Sequence, residues 1–242
     1  MRLVVLVALV LVGTVMTGRS AEAVDRFGPS AVWQFLASPE SRNTDVMSAL
    51  QQCGAPPDGD ACVVDIMQDT DASRASIAFF LETGWFLIDY EDFGRIDLGT
   101  ILLPWRANAN QQYVLLNGDP DIVYVEETAA ELSFTDDPSY GDLTAAIEAA
   151  TPPNGAPSTA LEISAGDNAF EAEFDLPIDG QQFVFQFEIV NGCRACGTGY
   201  TERIAYDFSQ QGVFIGAFLS GVCRGPDAEV FVPGITACPP VQ

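Results

Sequence analysis

Residues 170–189 read FEAEFDLPIDGQQFVFQFEI, and this stretch decides the class of the fold. Apolar and acidic residues alternate up to Leu176, and an apolar alternation resumes at Phe183 after the Asp179-Gly180 step. A period of two is typical of strands with one buried and one solvated face, and Asp-Gly is a hairpin signal. The residues predicted to face the core are Phe170, Phe174, Leu176, Phe183, Phe185, Phe187 and Ile189; those predicted to face solvent in the first strand are Glu171, Glu173 and Asp175.

The pattern continues towards the carboxyl end. A third run places Ile204, Tyr206 and Phe208 on one side, and a Ser209–Gly212 turn leads to a fourth run at 213–219. Four consecutive strands joined by short turns predict an antiparallel β-meander.

The chain before residue 151 mixes helical and strand signals. Asn43 or Thr44, Asp60 and Asp71 each precede an apolar run with helical spacing, and each is predicted to begin a helix. Strand-like runs follow at 85–90, 95–103, 112–116 and 122–126, the last two joined through Asn117-Gly118, and a helix is predicted over 137–150.

These signals divide the chain into three parts after its first 23 residues. An α+β region at 24–150 is followed by a Pro-rich linker at 151–158 and an antiparallel β region with four cysteines at 159–242. The predicted fold class is therefore α+β, with a helical and mixed amino-terminal part followed by an antiparallel β-meander stapled by disulfides.

Residues 1–23 have the pattern of a secretory signal peptide. Arg2 precedes an apolar stretch from Leu3 to Thr17, and Ala21-Glu22-Ala23 matches a small-residue cleavage site. We expect cleavage after Ala23 and a periplasmic or secreted bacterial protein. An uncleaved anchor is the weaker alternative, because the apolar stretch is shorter than the ~20 residues that span a bilayer.

The charge balance is strongly acidic. The chain of 242 residues holds 34 acidic and 10 basic residues, no histidine, and a net charge of −24; all ten basic residues are arginines. Because the chain has no histidine, histidine general bases and histidine metal ligands are excluded. Because it has no lysine, lysine Schiff bases and the phosphate-binding lysine of P-loops are excluded as well. The surface charge opposes nucleic acid and anionic membrane surfaces, and divalent cations or basic partners are the counterparts it permits. Solubility alone is the simpler reason for it.

Six cysteines in an exported chain predict three disulfides. We expect the pairs Cys53–Cys62, Cys193–Cys196 and Cys223–Cys238. Cys193-x-x-Cys196 also permits thiol-disulfide chemistry beside Arg194, pairing with Cys223 and Cys238, or a Cys₄ metal site. It lacks the following helix that redox motifs use, and the 14-residue gap between Cys223 and Cys238 and the exported location count against a metal site. No cofactor or metal is therefore expected here.

Carboxylates are the other group that could carry chemistry. The acidic pairs 58/60, 69/71, 119/121 and 136/137 lie in turns, where aspartate is frequent for local reasons, and none matches the calcium loop. Two carboxylates could hydrolyse glycosides without histidine. Trp85, Trp105 and Tyr113 could form a sugar-stacking platform, although aromatic residues in strand runs are more often core.

Two segments resemble an exported bacterial family without an assigned activity. They are Arg95–Asp119, with its Pro104-Trp105-Arg106 step, and Gly192-Cys193-Arg194-Ala195-Cys196 followed by the strand 204–208. The resemblance implies an integral folding unit and no activity.

The residue types favour a non-enzymatic binding or structural module of the bacterial envelope, with an unknown protein or small-molecule partner there. A thiol-disulfide protein using Cys193 and Cys196, and a carboxylate-based hydrolase, are the alternatives.

Overall fold

Helices form the amino-terminal layer of the protein. The computed structural model describes residues 26–38, 45–54, 57–103, 110–132, 141–146, 161–176, 180–191, 197–228 and 231–240. A 3₁₀ turn at Pro29–Ala31 is followed by α1 (Gln34–Ala37), α2 (Asp45–Cys53), α3 (Asp60–Asp69) and α4 (Arg74–Thr83). Among the described residues, no helix has the length and apolar character needed to cross a membrane.

Helix α4 begins and ends with local signals. The Ser73 hydroxyl accepts the Ser76 N–H at 2.9 Å, and Gly84, at φ +75°, ends the helix in the left-handed conformation. The prediction that Asp71 caps this helix is wrong. Asp71 itself is left-handed, at φ +57°, in the turn after α3, whereas the capping residue needs the extended backbone that Ser73 has. Helix α3 begins at Asp60 as predicted, and Asn43 and Thr44 lie outside the described residues.

The first sheet contains the four strands predicted in this region. They are β1 (Phe86–Glu91), β2 (Asp97–Leu103), β3 (Asn110–Leu116) and β4 (Ile122–Tyr124), antiparallel and in sequence order. Asn117, at φ +67°, forms the predicted hairpin between β3 and β4. Strand β4 ends at Tyr124, two residues before its predicted end, and α5 (Val125–Ala130) begins at once. Residues 141–146, inside the helix predicted over 137–150, are helical.

The second sheet is the predicted antiparallel meander. Its strands, again in sequence order, are β5 (Leu161–Asp175), β6 (Gln181–Asn191), β7 (Gly197–Phe208) and β8 (Phe214–Arg224). The fold is α+β, with helices in the amino-terminal part and antiparallel sheets after them.

A β-bulge in β5 overturns part of the predicted alternation. Phe170 pairs with Phe185, but the register shifts at once, so that Glu173 pairs with Phe183 and Phe174 with Gln182. A bulge inserts one residue and so exchanges the two faces beyond it. Phe174 is therefore 43% exposed instead of buried. Glu171, predicted to face solvent, is buried.

The two sheets pack face to face around one apolar core. Phe183, Phe185 and Phe187 of β6 contact residues from β2, β3 and α5 of the other sheet's side, including Leu98, Leu115 and Val125. The amino-terminal segment and α4 pack on the opposite side of the first sheet, where Phe27 and Phe79 lie in one apolar cluster with Leu87, Ile101 and Val114. Helices α2 and α3, with Phe80 of α4, pack against Phe86, Ile88 and Leu102. The layers therefore run helix, sheet, sheet, and the far side of the second sheet is left as a surface. The linker 151–158 lies outside the described residues.

Two disulfides lie in the described part of the chain. Cys53 is bonded to Cys62, joining the end of α2 to α3, and Cys223 of β8 is bonded to Cys238. These are two of the three predicted pairs; Cys193 and Cys196 lie outside the described residues.

Candidate functional site

The side of the second sheet that faces away from the first sheet is the candidate site, and we call it the outer face. The sheet residues of this face, which we call its floor, follow from the strand register. Residues directly opposite each other in neighbouring strands point to the same side of the sheet. Three rows cross the sheet from β5 to β8: Phe174, Gln182, Asp207 and Gly216; Ala172, Val184, Ala205 and Phe218; and Ala169, Gln186, Arg203 and Gly221. A fourth row crosses from β6 to β8 and contains Glu188, Thr201 and Cys223.

A buried ion pair fixes the middle of the outer face. Arg203 donates to both carboxylate oxygens of Glu171, from Nε at 2.7 Å and from Nη2 at 2.5 Å. The Glu171 side chain is 4% exposed and that of Arg203 27% exposed. The hydrogen bond to Glu171 raises the pKa of Arg203, so the guanidinium stays charged. The bulge places the Glu171 carboxylate within reach of this arginine, and the pair is a rigid part of the floor.

Gln186 links this ion pair to the carboxyl-terminal segment. Its side-chain nitrogen donates to Glu171 Oε2 at 3.1 Å and to the Pro239 carbonyl at 2.9 Å. A second amide and carboxylate pair lies in the first row, where Gln182 donates to Asp207 at 2.7 Å. Polar groups on the outer face are thus held in fixed orientations by each other.

Residues 225–228 and 231–240 lie around the edge of β8. Val232 packs under the inner side of the sheet with Tyr200 and Val222. The chain then pairs beside β8, where the Arg224 N–H donates to the Thr236 carbonyl at 2.8 Å and the Cys238 N–H to the Arg224 carbonyl at 2.9 Å. The Cys223–Cys238 bond fastens it to the outer face. We call the described residues 225–228 and 231–240 the carboxyl-terminal strap.

Two cavities lie where this strap meets the outer face. One, of about 460 Å³, is lined by Asn168, Gln186, Glu188, Thr201 and Asp227 among others. The second, of about 610 Å³, shares Gln186 and Thr201 with the first and is closed by strap residues up to Pro240. Their lining mixes polar and apolar surface, and Glu188 and Asp227 are two carboxylates in the first cavity. The outer face is therefore flat at one end and concave at the other.

Other buried carboxylates stabilise the fold. Asp97 is fully buried and accepts from Tyr90 Oη at 2.7 Å, Asn117 Nδ2 at 2.7 Å and the Phe93 N–H at 3.0 Å. Asn117 also bonds the Phe27 backbone, so this network ties the amino-terminal segment to the first sheet. Three hydrogen bonds satisfy the Asp97 carboxylate within the protein.

Glu126 is the buried carboxylate between the sheets. It accepts from Gln112 and, at 3.0 Å, from Asn168. Burial, and then the charge of Glu126, raise the pKa of Tyr206, whose hydroxyl donates to the Val125 carbonyl at 2.6 Å. This phenol stays protonated, and the cluster is part of the core.

The other predicted site residues are dispersed. Within the described ranges, no group of three or more cysteine or acidic residues is placed to hold a metal ion. Tyr113 packs in the core against Phe185, whereas Trp85 packs against Tyr124, so these two aromatics do not form one platform. Trp105, Asp136 and Asp137 lie outside the described residues.

Sequence reasoning predicted a solvated face for this sheet but not the exposure of Phe174 or the burial of Glu171, because both depend on the bulge in β5. The available signal was Arg203, a charged residue beside the apolar alternation of β7, which needs a nearby carboxylate. Phe174 carries no signal of its own, since its exposure follows from the register of two strands.

Comparison with known proteins adds no assignment: no family model, no curated protein and no solved structure matches this chain.

Proposed function

We propose that this is a non-enzymatic binding module of the bacterial envelope and that it binds its partner on the outer face. One observation carries the proposal. The outer face combines exposed aromatic rings, fixed polar pairs and two adjoining cavities, while Asp97 and Glu126 are used inside the fold. Concave surfaces with a few oriented polar groups are where proteins bind small ligands.

The exported location is part of the proposal. It is supported by the signal-peptide pattern of residues 1–23 and is consistent with the disulfides Cys53–Cys62 and Cys223–Cys238. Expression in a bacterial host with the leader intact tests it. The intact mass of the exported protein should match a chain that begins at Val24. A full-length chain retained in the cytoplasm would contradict the exported location.

A melting-temperature screen tests binding. Divalent cations, polyamines, oligosaccharides and short peptides are each added to the wild-type protein, because a ligand that binds only the folded state stabilises it. At one hundred times Kd the gain is about 2.7 kcal/mol, or roughly 5–10 °C for a domain of this size. The shift should be lost in Phe218→Ala and kept in Leu81→Ala. A full screen without a shift would contradict the proposal.

A carboxylate-based hydrolase is the second candidate, because Glu188 and Asp227 line one cavity. Glu188→Gln and Asp227→Asn distinguish the two. A hydrolase would lose turnover of a bound glycan in either variant and keep affinity, whereas a binding module shows no turnover in the wild-type protein.

A further inference from the structure

Two phenylalanine rings are exposed on the outer face, at opposite edges of the sheet. Phe174 on β5 is 43% exposed and Phe218 on β8 is 48% exposed. Phe174 projects in the first row and Phe218 in the second. Adjacent strands are about 4.8 Å apart, so β5 and β8 are separated by about 14 Å. A ligand that touches both rings is therefore longer than one sugar or one small metabolite.

The Phe218 ring leans along its own strand towards Gly216. A Cβ on Gly216 would be 3.2 Å from the Phe218 ring, so the glycine leaves the space that the ring occupies. Between the two rings the floor is made of small side chains, Ala172, Val184 and Ala205. An exposed ring beside a low floor allows a planar apolar surface, such as the C–H face of a sugar ring, to lie on the sheet.

Polar groups border this apolar floor on both sides. Gln182 and Asp207 lie in the first row, and Gln186 and Arg203 lie in the third. The pairs contain amide and guanidinium donors beside amide and carboxylate acceptors, each already oriented by a partner. Hydroxyl groups both donate and accept hydrogen bonds, so a polyhydroxylated ligand can satisfy such a mixed border.

The charge of the protein selects among such ligands. With a net charge of −24, the chain repels anions, and the one arginine in this border is neutralised by Glu171. An acidic glycan therefore finds no unpaired positive charge among these border residues. A neutral glycan carries no charged group whose desolvation would oppose binding.

We propose that the outer face binds a neutral oligosaccharide of several sugar units, stacked on Phe174 and Phe218 and hydrogen-bonded by Gln182, Asp207 and Arg203. This inference rests on the proposed binding function and names its ligand class. In this arrangement the hydroxyl groups of the oligosaccharide bond to the first and third rows. The apolar faces of its sugar rings lie on the second row, which includes the Phe218 ring.

Calorimetric titration of the mature protein tests the proposal. The probes are cellohexaose, xylohexaose, maltohexaose and chitohexaose, with hexagalacturonate as the anionic counterpart. At least one neutral hexasaccharide should bind, and hexagalacturonate should not. Phe174→Ala and Phe218→Ala should each weaken the binding by about tenfold, the value of one lost aromatic contact.

The matched control is Leu81→Ala, which removes an apolar side chain that is 56% exposed on α4 in the helical layer. Its affinity should equal that of the wild type, and Phe218→Trp should keep or strengthen binding. Circular dichroism establishes that each variant is folded. Failure of all four neutral hexasaccharides to bind, or binding that survives both alanine substitutions, would overturn the inference.

The same variants separate this inference from the proposed function. If a polyamine or peptide raises the melting temperature and the shift disappears in Phe218→Ala, the outer face is a binding site for another ligand class and only the glycan assignment falls. If nothing in the screen binds, both fall.

Discussion

Arg203 shows how single charges are used in this acidic chain. Its guanidinium is bonded twice to a carboxylate that is almost inaccessible to solvent. Removing one partner of a buried pair leaves the other charge unsolvated, which costs more than the pair contributes. The ion pair with Arg203 thus stabilises the charged Glu171 carboxylate in its buried position on β5.

We expect Arg203→Met to lower the free energy of unfolding by about 3 kcal/mol, measured by urea denaturation. The double variant Arg203→Met with Glu171→Met should recover much of this loss, since no buried charge remains. Arg26→Met is the control, because Arg26 pairs with Glu82 and Asp121 while 46% exposed, and exposed pairs contribute less than about 1 kcal/mol. Equal losses at Arg203 and Arg26 would contradict this assignment.

Tyr206 gives the protein an alkaline limit. Burial raises the pKa of Tyr206, and those of Tyr113 and Tyr124, above the value near 10 of an unfolded tyrosine. The unfolded chain therefore loses phenol protons at a pH where the native state keeps them. Stability is complete below about pH 10 and falls as the pH rises above it.

Tyr206→Phe separates the two effects of the hydroxyl. It should cost about 1 kcal/mol at pH 7, because the Val125 carbonyl loses its donor, and it should reduce the decline of stability between pH 10 and 12. The chain contains no lysine, which simplifies this titration. Urea unfolding at each pH provides the measurement, and an unchanged alkaline slope in the variant would contradict the account.

At the scale of single elements, the start of α4 shows where a sequence signal competes with a better one. Both Asp71 and Ser73 are capping residue types, but only Ser73 has the extended backbone, and its hydroxyl also donates to the Ser30 carbonyl at 2.5 Å. The second contact comes from the 3₁₀ turn, which no local pattern near residue 73 reveals.

Ser73→Ala should therefore destabilise the protein by about 1 kcal/mol or slightly more, measured by thermal and urea unfolding. Asp71→Gly should leave stability unchanged or raise it, because glycine adopts the left-handed conformation without strain. A larger loss of stability in Asp71→Gly than in Ser73→Ala would instead indicate that Asp71 caps α4.

In the strands of the second sheet, the alternation of apolar and polar residues predicts burial only where the register is regular. The core-facing residues of the runs Phe183 to Ile189 and Ile204 to Phe208 are buried as predicted, and β6 pairs with β7 without a shift from Gln181 to Glu188. In β5 the same rule fails at Phe174, since a bulge adds one residue that a period of two cannot represent. The exposed ring of Phe174 could not be predicted from the sequence for this reason.

At the scale of the whole molecule, the carboxyl-terminal strap connects the core to the candidate site. It packs inside with Val232, pairs beside Arg224 and ends over Gln186. Residues 225–240 have neither a helical nor a strand period, so the sequence predicts only the Cys223–Cys238 bond and not the path.

Cys223→Ser with Cys238→Ser should lower stability by about 3 kcal/mol, since the bond closes a loop of 15 residues. It should also weaken ligand binding, because the strap forms a wall of both cavities. The matched control is Cys53→Ser with Cys62→Ser, which opens a 9-residue loop beside α2 and should lower stability by about 2.5 kcal/mol while leaving affinity unchanged. Melting curves and calorimetry of the two double variants compare these effects.

The central claim is that the outer face of the second sheet is the binding surface. A two-dimensional amide correlation spectrum of isotope-labelled protein, titrated with the compound that raises the melting temperature most, tests it directly. We predict that the side-chain signals of Gln182, Gln186 and Arg203 shift together with backbone signals of Thr201 and Phe218. Shifts confined to the helical layer around Leu81, with the outer face unchanged, would contradict the account.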